Sequence, residues 1–222
     1  MQDNRQKSVY RAIDLYSGVG GWALGLRMSN IEVVKSYEWW SVAADTQRLN
    51  LGDGPQELDI RNLALSELPT DIDIVVGSPP CTQFSYSNRG GSGDIADGLK
   101  DVHKFLEVVE YLAPKYWVME NVPRVAKILE NELSGSGQLR RFRDLVEDIK
   151  VVDCSDFGLP QRRKRMLAGR FPYDRLESYS AHSEKRTLGQ VIKALRLKRV
   201  RDPIYGNTIP SEKLTDNDYE EK

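Results

Sequence analysis

The 222-residue sequence is poor in the residues that build disulfide frameworks and metal sites. It has two cysteines, Cys81 and Cys154, which lie far apart, and two histidines, His103 and His182, neither of which has a nearby ligand partner. This excludes a disulfide-stapled fold and gives no metal-ligand spacing, so we expect no metal. A formal net charge of −1 excludes an overall basic composition. Any positively charged surface that contacts nucleic acid must therefore be local.

Long apolar runs are also missing, and residues 1–7 lack the apolar core of a signal peptide. We therefore expect no membrane segment and a reducing, cytoplasmic setting. The length suits one domain with a tail. We predict a main domain over residues 1–172, followed by a partly helical extension over residues 173–222 whose acidic end, residues 213–222, is disordered.

What the sequence does contain is a short apolar run, residues 72–76, that leads into a stiff polar turn. Its β-branched residues predict a buried strand, and two consecutive prolines shortly afterwards prevent helix or ladder. Cys81 follows the prolines and is predicted to be presented at the carboxyl end of a strand. Open α/β sheets place their chemistry there. On placement alone, both a nucleophile and a packed thiol remain open.

Near the start, residues 8–16 predict a first strand, and a glycine-rich turn and a helix over residues 22–28 follow it. Strand, glycine turn and helix form the geometry that binds phosphates and nucleosides in Rossmann-like folds. The pattern alone permits a dinucleotide, an adenosyl cofactor or no ligand.

Acidic residues stand at the ends of three further predicted strands, residues 31–37, 57–60 and 116–119. Glu38 is placed to accept both hydroxyls of a ribose, and Trp39 to lie flat against a purine. Asp59 could accept a hydrogen bond from an adenine amino group. Glu120 is predicted to lie at the carboxyl end of its strand, on the same side of the sheet as Cys81. The plainer alternatives are a helix N-terminal acid, a half-buried aromatic anchor and a turn aspartate.

The remaining patterns are local. Residues 85–100 are rich in glycine and nearly free of apolar residues, which predicts a mobile lid. Apolar periodicity predicts a helix over residues 99–112, and further helices are predicted over 125–133, 139–148 and 187–197. Strands are predicted over 149–153 and 166–169. The four cations at 162–165 fit either a solvated face or a phosphate-binding surface.

Taken together, these stretches resemble the cytosine-C5 DNA methyltransferases over roughly residues 12–171. The similar motifs are the glycine turn from Asp14, the pairs at 38–39 and 59–60, the Pro-Pro-Cys turn at 79–81, Glu-Asn-Val at 120–122 and the cationic run at 161–165. Tyr16 stands where phenylalanine is usual, and Thr82 where glutamine is usual. Each motif is weak alone, but their order and spacing are specific.

The resemblance implies an α/β fold with a Rossmann-like S-adenosylmethionine-dependent methyltransferase sheet, seven strands with the last antiparallel. It implies S-adenosylmethionine as the cofactor, cytosine-containing duplex DNA as the partner and a prokaryotic or phage-type restriction-modification setting. Cys81 would add to C6 of a flipped cytosine, and Glu120 would meet N3. Arg163 and Arg165 would hold the O2 edge and nearby phosphates.

The resemblance also implies two sets of binding residues. The cofactor set is Asp14, Leu15, Tyr16, Ser17, Gly18, Gly20, Gly21, Trp22, Glu38, Trp39, Asp59, Ile60, Ser78 and Pro80. The DNA-contacting set is Ser85, Ser87, Asn88, Arg89 and Gln161.

The sequence ends before the family's target-recognition region and its last two motifs. We expect these segments either from a continuation of the chain or from a second subunit, and an inactive homologue is the third option. All three remain open. Residues 1–222 alone are expected to methylate DNA poorly or not at all, and activity is expected to return when a polypeptide that carries the missing segments is added.

Three other functions compete with this interpretation. A nicotinamide-dependent oxidoreductase would use the glycine turn and Glu38, but it leaves Cys81, Glu120 and the arginines without a role. A tRNA methyltransferase of the same fold would share the catalytic motifs. A non-enzymatic DNA-associated module would fit the missing segments.

Overall fold

The computed structural model describes residues 10–82, 84, 94–194, 199–201 and 208–210. The chain divides into two compact units: Met1–Val151 with Met166–Phe171, and Val152–Arg165 with Pro172–Lys222. The domain boundary expected after residue 172 stays a prediction.

The architecture centres on a seven-stranded sheet with the strand order β3-β2-β1-β4-β5-β7-β6. Neighbours from β3 to β5 run parallel, whereas β7 is antiparallel to β5. The predicted seven-stranded Rossmann-like sheet with an antiparallel last strand is confirmed. The strands are β1 Arg11–Leu15, β2 Glu32–Glu38, β3 Gln56–Glu57, β4 Ile74–Gly77, β5 Tyr116–Asn121, β6 Asp148–Asp153 and β7 Lys164–Arg170.

Helices connect the parallel strands, as parallel pairing requires. In the first unit α1 Gly21–Met28, α2 Ser41–Leu51 and α3 Ile95–Leu112 make these connections, and α4 Arg124–Leu133 follows β5. The second unit contains α5 Tyr173–His182, α6 Leu188–Ala194 and an antiparallel pair of β8 Arg199–Arg201 with β9 Thr208–Pro210. None of the helices in the described ranges is long and apolar enough to cross a bilayer.

The core of the first unit lies against the central strands. Every residue from Ala12 to Leu15 is fully buried, as expected for a parallel strand covered on both faces. The buried face of α3 contributes Phe105, whose ring lies 5.9 Å from that of Trp117 in β5. Gly77 has no room for a side chain, because a Cβ there would lie 2.5 Å from the Leu15 carbonyl oxygen. The ends of β1 and β4 can therefore approach closely.

The prediction of a lid over residues 85–100 is wrong for residues 95–100. Residues 95–100 form the start of α3, because the Asp94 carboxylate caps the helix by accepting the Asp97 amide at 3.1 Å. Leu99 is buried in the core and stabilises this first turn. Residues 85–93, which include the proposed DNA contacts Ser85, Ser87, Asn88 and Arg89, lie outside the described residues.

Two other elements differ from their predictions. Ile60 lies in a 3₁₀ turn rather than in the third strand, because the Asp59 carboxylate accepts the Arg61 amide at 3.0 Å. The helix predicted over residues 139–148 is a 3₁₀ segment, Arg140–Leu145. Leu139 and Phe142 are both fully buried, and a spacing of three residues puts two side chains on the same side in 3₁₀ geometry. The tail predicted to be disordered, residues 213–222, lies outside the described residues.

Candidate active site

The predicted functional motifs of the first unit lie at the carboxyl ends of the parallel strands. β1 and β4 are neighbours, with Leu15 in register with Gly77, and the chain leaves this point in opposite directions along the sheet. Open α/β sheets bind ligands in the crevice at such a switch point, outside the carboxyl ends of the strands. The glycine turn follows β1 here, and the Cys81 turn follows β4.

The glycine turn has a conformation that its sequence makes accessible. Gly18 and Gly20 have positive φ angles of 55° and 91°, which glycine adopts without steric cost. A Cβ at Gly20 would also lie 2.8 Å from the side chains of Gln47 and Leu51 in α2. The turn is joined to the end of β4, because the Trp22 indole donates a hydrogen bond to the Ser78 hydroxyl at 3.0 Å. This bond links two of the predicted cofactor-binding segments.

Glu38 lies at the end of β2 and is 6% exposed. Its carboxylate accepts hydrogen bonds from the Gly18 and Trp40 amides, both at 2.8 Å. Each carboxylate oxygen has two lone pairs, so both retain capacity for a ribose hydroxyl. The next residue, Trp39, is 66% exposed and offers an open aromatic face beside this acid.

Asp14 lies beneath the glycine turn and is fully buried, and within the described part of the chain neither of its carboxylate oxygens has a hydrogen-bond partner of normal geometry. Burial raises the pKa of Asp14 well above its usual range; the Ala23 amide opposes this shift, and the charge of Glu38 adds to it. Buried polar atoms that lack a hydrogen-bond partner are unusual in folded proteins and often mark functional positions. Together with the acid and the open indole at the end of β2, they fit a ligand that carries a ribose, a purine and further polar groups, as S-adenosylmethionine does.

The predicted adenine contacts, Asp59 and Ile60, belong to a turn after β3. Asp59 caps this turn through one carboxylate oxygen, whereas Ile60 is buried. One oxygen of Asp59 therefore has the plainer role of a turn residue. The second oxygen can still accept a hydrogen bond from a ligand.

Cys81 is exposed on a turn that is held on both sides. Before it, the Pro79 carbonyl accepts a hydrogen bond from the Asn121 side chain at 3.1 Å, and Asn121 is 1% exposed. After it, the Phe84 amide donates to the Cys81 carbonyl at 2.9 Å, and the Phe84 ring is fully buried in the core. The thiol is thus presented on an anchored turn, as the two prolines predict.

Glu120 is half-buried near the end of β5, next to Asn121 in the chain. Strands β4 and β5 pair in parallel, so the turn with Cys81 and the strand with Glu120 end at the same edge of the sheet. Asn121 then fastens the turn to that strand. Sequence reasoning singled out the acid in the Glu-Asn-Val motif but gave no role to the asparagine.

We expect the Asn121→Ala variant to be less stable than the wild type. The change leaves the Pro79 carbonyl without its buried donor, which costs roughly 1–3 kcal/mol of unfolding free energy. Thermal unfolding measures the effect. Asn131→Ala, at an exposed position of α4, is the matched control. An Asn121 variant as stable as the wild type would show that this bond does not anchor the turn of Cys81.

The predicted residues Gln161, Arg163 and Arg165 border or begin β7 and belong to the second unit. Arg163 is exposed; its amide donates to the Asp153 carboxylate at 3.1 Å, and its carbonyl accepts the Cys154 amide at 2.9 Å. Arg165 donates to the Lys164 carbonyl at 2.8 Å. Hydrogen bonds from Ser155 and from the Arg163 amide lower the pKa of Asp153. This acid, which sequence reasoning missed, therefore organises the turn.

No group of three or more histidine, cysteine, aspartate or glutamate side chains in the described part of the chain could hold a metal ion.

Comparison with known families identifies the family of the chain. The model of the family described as C-5 cytosine-specific DNA methylase matches residues 10–215. The chain belongs to this family.

Two relatives are type II methyltransferases. The chain is 31% identical to M.HindV of Haemophilus influenzae over 163 residues, which is 70% of this chain and 51% of M.HindV. It is 34% identical to M.NgoBI of Neisseria gonorrhoeae over 168 residues, which is 71% of this chain and 49% of M.NgoBI. The chain thus spans about half the length of these relatives.

Solved structures support the fold. The S. pombe Dnmt2 methyltransferase superposes with a TM-score of 0.59 at 24% identity, over 80% of this chain and 57% of that one. The Entamoeba histolytica methyltransferase EhMeth gives a TM-score of 0.55 at 21% identity, over 75% of this chain and 55% of that one. Both are similar in fold.

Proposed function

We propose that this chain carries the catalytic part of a DNA cytosine-C5 methyltransferase, with Cys81 as the nucleophile. The observation that carries the proposal is the anchored turn that exposes the thiol at the switch point of the sheet. A cysteine kept for packing would be buried within an element, whereas this one is held outward by a buried asparagine and a buried phenylalanine.

The residue types suit the chemistry of the target base. C5 of cytosine is too weak a nucleophile to take a methyl group directly. Addition of the Cys81 thiolate to C6 forms an S–C6 bond and turns the ring into an enamine whose C5 is nucleophilic. Glu120, if protonated, gives a proton to N3 and offsets the charge as C6 is attacked.

S-adenosylmethionine, when bound, supplies the electrophilic methyl group that C5 takes up. A base then removes the proton from C5, the electron pair re-forms the C5–C6 double bond, and the Cys81 thiolate leaves. N3 gives its proton back to Glu120, so these residues return to their starting state, and the products are 5-methylcytosine and S-adenosylhomocysteine.

The cofactor is proposed to bind along the carboxyl ends of β1, β2 and β3. The glycine turn and Asp14 would face its amino-acid portion, Glu38 the ribose hydroxyls, and Trp39, Asp59 and Ile60 the adenine. Ser78 and Pro80 would close the crevice on the side of the Cys81 turn.

DNA is the proposed substrate, and its target base must leave the helical stack because C6 is inaccessible inside a duplex. Arg163 and Arg165 are proposed to hold the O2 edge and nearby phosphates, since guanidinium groups make forked hydrogen bonds to such oxygens. Gln161 and the residues at 85, 87, 88 and 89 are proposed to contact the DNA backbone.

We expect Glu38→Ala to weaken binding of S-adenosylmethionine. Loss of charge-assisted hydrogen bonds to the ribose in a buried site costs roughly 1.5–3 kcal/mol of binding free energy. Titration calorimetry on the wild type and the variant measures it, with Glu32→Ala, at an exposed position of β2, as the control. If the wild type binds the cofactor and the Glu38 variant binds it equally well, the proposed ribose contact is wrong.

The function itself is tested by transfer of a radiolabelled methyl group to cytosine-containing duplex DNA. The chain is assayed alone and together with a polypeptide that carries the remaining half of a relative, which tests the need for a partner or a continuation. A tRNA substrate is run in parallel. Labelled 5-methylcytosine in DNA supports the proposal; label in tRNA alone, or no transfer under either condition, contradicts it.

A further inference from the structure

Arg61 and Asp101 form a forked ion pair that none of the sequence motifs contains. The guanidinium Nε and Nη2 atoms donate to the two carboxylate oxygens of Asp101 at 2.8 and 2.7 Å. Asp97, one turn earlier on α3, accepts from the same guanidinium at 3.1 and 3.2 Å. The Asp101 side chain is 8% exposed and that of Asp97 is 30% exposed, so the pair with Asp101 is the buried one.

The pair is connected to the proposed adenosyl pocket from two sides. Arg61 directly follows Asp59 and Ile60, and its own amide is held by the Asp59 carboxylate at 3.0 Å. On the other side, the Tyr16 hydroxyl donates to the Asp101 carbonyl at 3.2 Å. Two separate segments are therefore tied to one residue of α3.

Tyr16 and the turn that contains Asp59 both depend on neighbouring residues to hold their conformation. Tyr16 has a positive φ of 56°, a strained value for a residue with a side chain, which persists only where the surroundings hold it. Burial and the nearby Asp101 raise the pKa of Tyr16 above its usual range, so its hydroxyl stays a donor. The turn that Asp59 caps is a single 3₁₀ segment of three residues, Ile60–Asn62, so its orientation depends on contacts with neighbouring elements. A forked guanidinium–carboxylate pair fixes orientation as well as distance.

We propose that the Arg61–Asp101 pair positions the Asp59 carboxylate against the exocyclic amino group of the cofactor's adenine and thereby sets selectivity for adenine. The inference rests on the proposed function, because it requires an adenosyl ligand in the crevice. Arg61 and Asp101 are positioning residues that act through the turn.

The test compares two ligands that differ at position 6 of the purine and at the neighbouring N1, which carries a proton in hypoxanthine but not in adenine. S-adenosylhomocysteine carries the amino group, whereas S-inosylhomocysteine has a carbonyl oxygen there, which an acceptor carboxylate repels. Calorimetry well below the melting temperature gives both dissociation constants. The wild type is expected to prefer the adenosyl ligand, and Asp101→Asn is expected to lower that preference about tenfold, because the amide keeps the shape but loses the charged fork.

Three variants serve as controls. Asp97→Asn removes the more exposed partner of the same arginine and is expected to keep the wild-type preference. Asp59→Asn replaces the acceptor itself and is expected to lose the preference entirely. Arg61→Lys keeps the charge without the fork, and it carries the test if Asp101→Asn does not fold.

The outcomes separate the inference from the proposed function. A wild type that binds neither ligand contradicts the proposed function, and the inference fails with it. A wild type that prefers the adenosyl ligand, with the same preference in Asp101→Asn and Arg61→Lys, overturns the inference alone. A lower melting temperature with an unchanged preference does the same, because it shows that the pair is purely structural.

Discussion

The Cys81→Ser variant is expected to lose methyl transfer by a factor on the order of 10³ or more, because removal of a covalent nucleophile has effects of this size or larger. A serine hydroxyl is a far weaker nucleophile than a thiolate unless a neighbouring base activates it. The turn itself should persist, since Pro79 and Phe84 anchor it through backbone groups and a buried ring. The loss would therefore report chemistry rather than unfolding.

Covalent trapping measures the same step directly. DNA that carries 5-fluorocytosine at the target position accepts the thiolate and the methyl group, but the fluorine cannot leave as a proton does, so the adduct persists. With the complementing polypeptide of the methyl-transfer assay present, we expect a covalent complex with the wild type and none with Cys81→Ser. Cys154→Ser is the control, since Cys154 begins a 3₁₀ turn of the second unit. Trapping that survives in the Cys81 variant and disappears in the Cys154 variant would reverse the assignment.

The positions of Cys81, Glu38 and Glu120 at the sheet edge could be predicted because strand ends are visible in sequence. A β-branched run that stops at glycine or proline defines where a strand ends, and the parallel strands of an α/β fold end on the same side. The resemblance to a family added the number of strands and the direction of the last one.

Helix α2 could not be found by the same reasoning. It buries Ala43, Ala44 and Gln47 rather than a stripe of large apolar residues, so the periodicity that marks an amphipathic helix is weak. Gln47 instead accepts a hydrogen bond from the Ser17 hydroxyl at 2.9 Å, which joins the helix to the glycine turn. A polar contact between residues thirty positions apart has no local signature.

The Arg61–Asp101 pair was invisible in sequence for a related reason. Nothing in either segment distinguishes these charges from solvated surface charges, which are the common case. Their partnership depends on the start of α3, which the glycine-rich composition of residues 85–100 concealed. Once Asp94 caps the helix at Ile95, Asp97 and Asp101 follow at helical spacing and meet the same guanidinium.

Glu120→Gln is expected to reduce the rate of methyl transfer roughly 10²- to 10⁴-fold, the usual contribution of a positioned proton donor. Glutamine has nearly the same shape, so the end of β5 and its pairing with β7, where Glu120 is in register with Leu167, should be unchanged. The amide can donate a hydrogen bond to N3 but cannot transfer a proton to it. The attack of Cys81 on C6 would then leave negative charge on the ring.

The role of Glu120 as proton donor is decided by comparing two steps, methyl transfer and covalent trapping. Both are therefore measured on the same variant. Single-turnover methyl transfer should slow by the full factor, whereas trapping on 5-fluorocytosine DNA should become slow but still reach completion, because Cys81 is intact. Glu130→Gln, at an exposed position of α4, makes the same chemical change away from the sheet edge and should leave both rates unaltered. A Glu120→Gln rate within about threefold of the wild type would assign this carboxyl to binding or structure, since a proton donor in the rate-determining step contributes more than that.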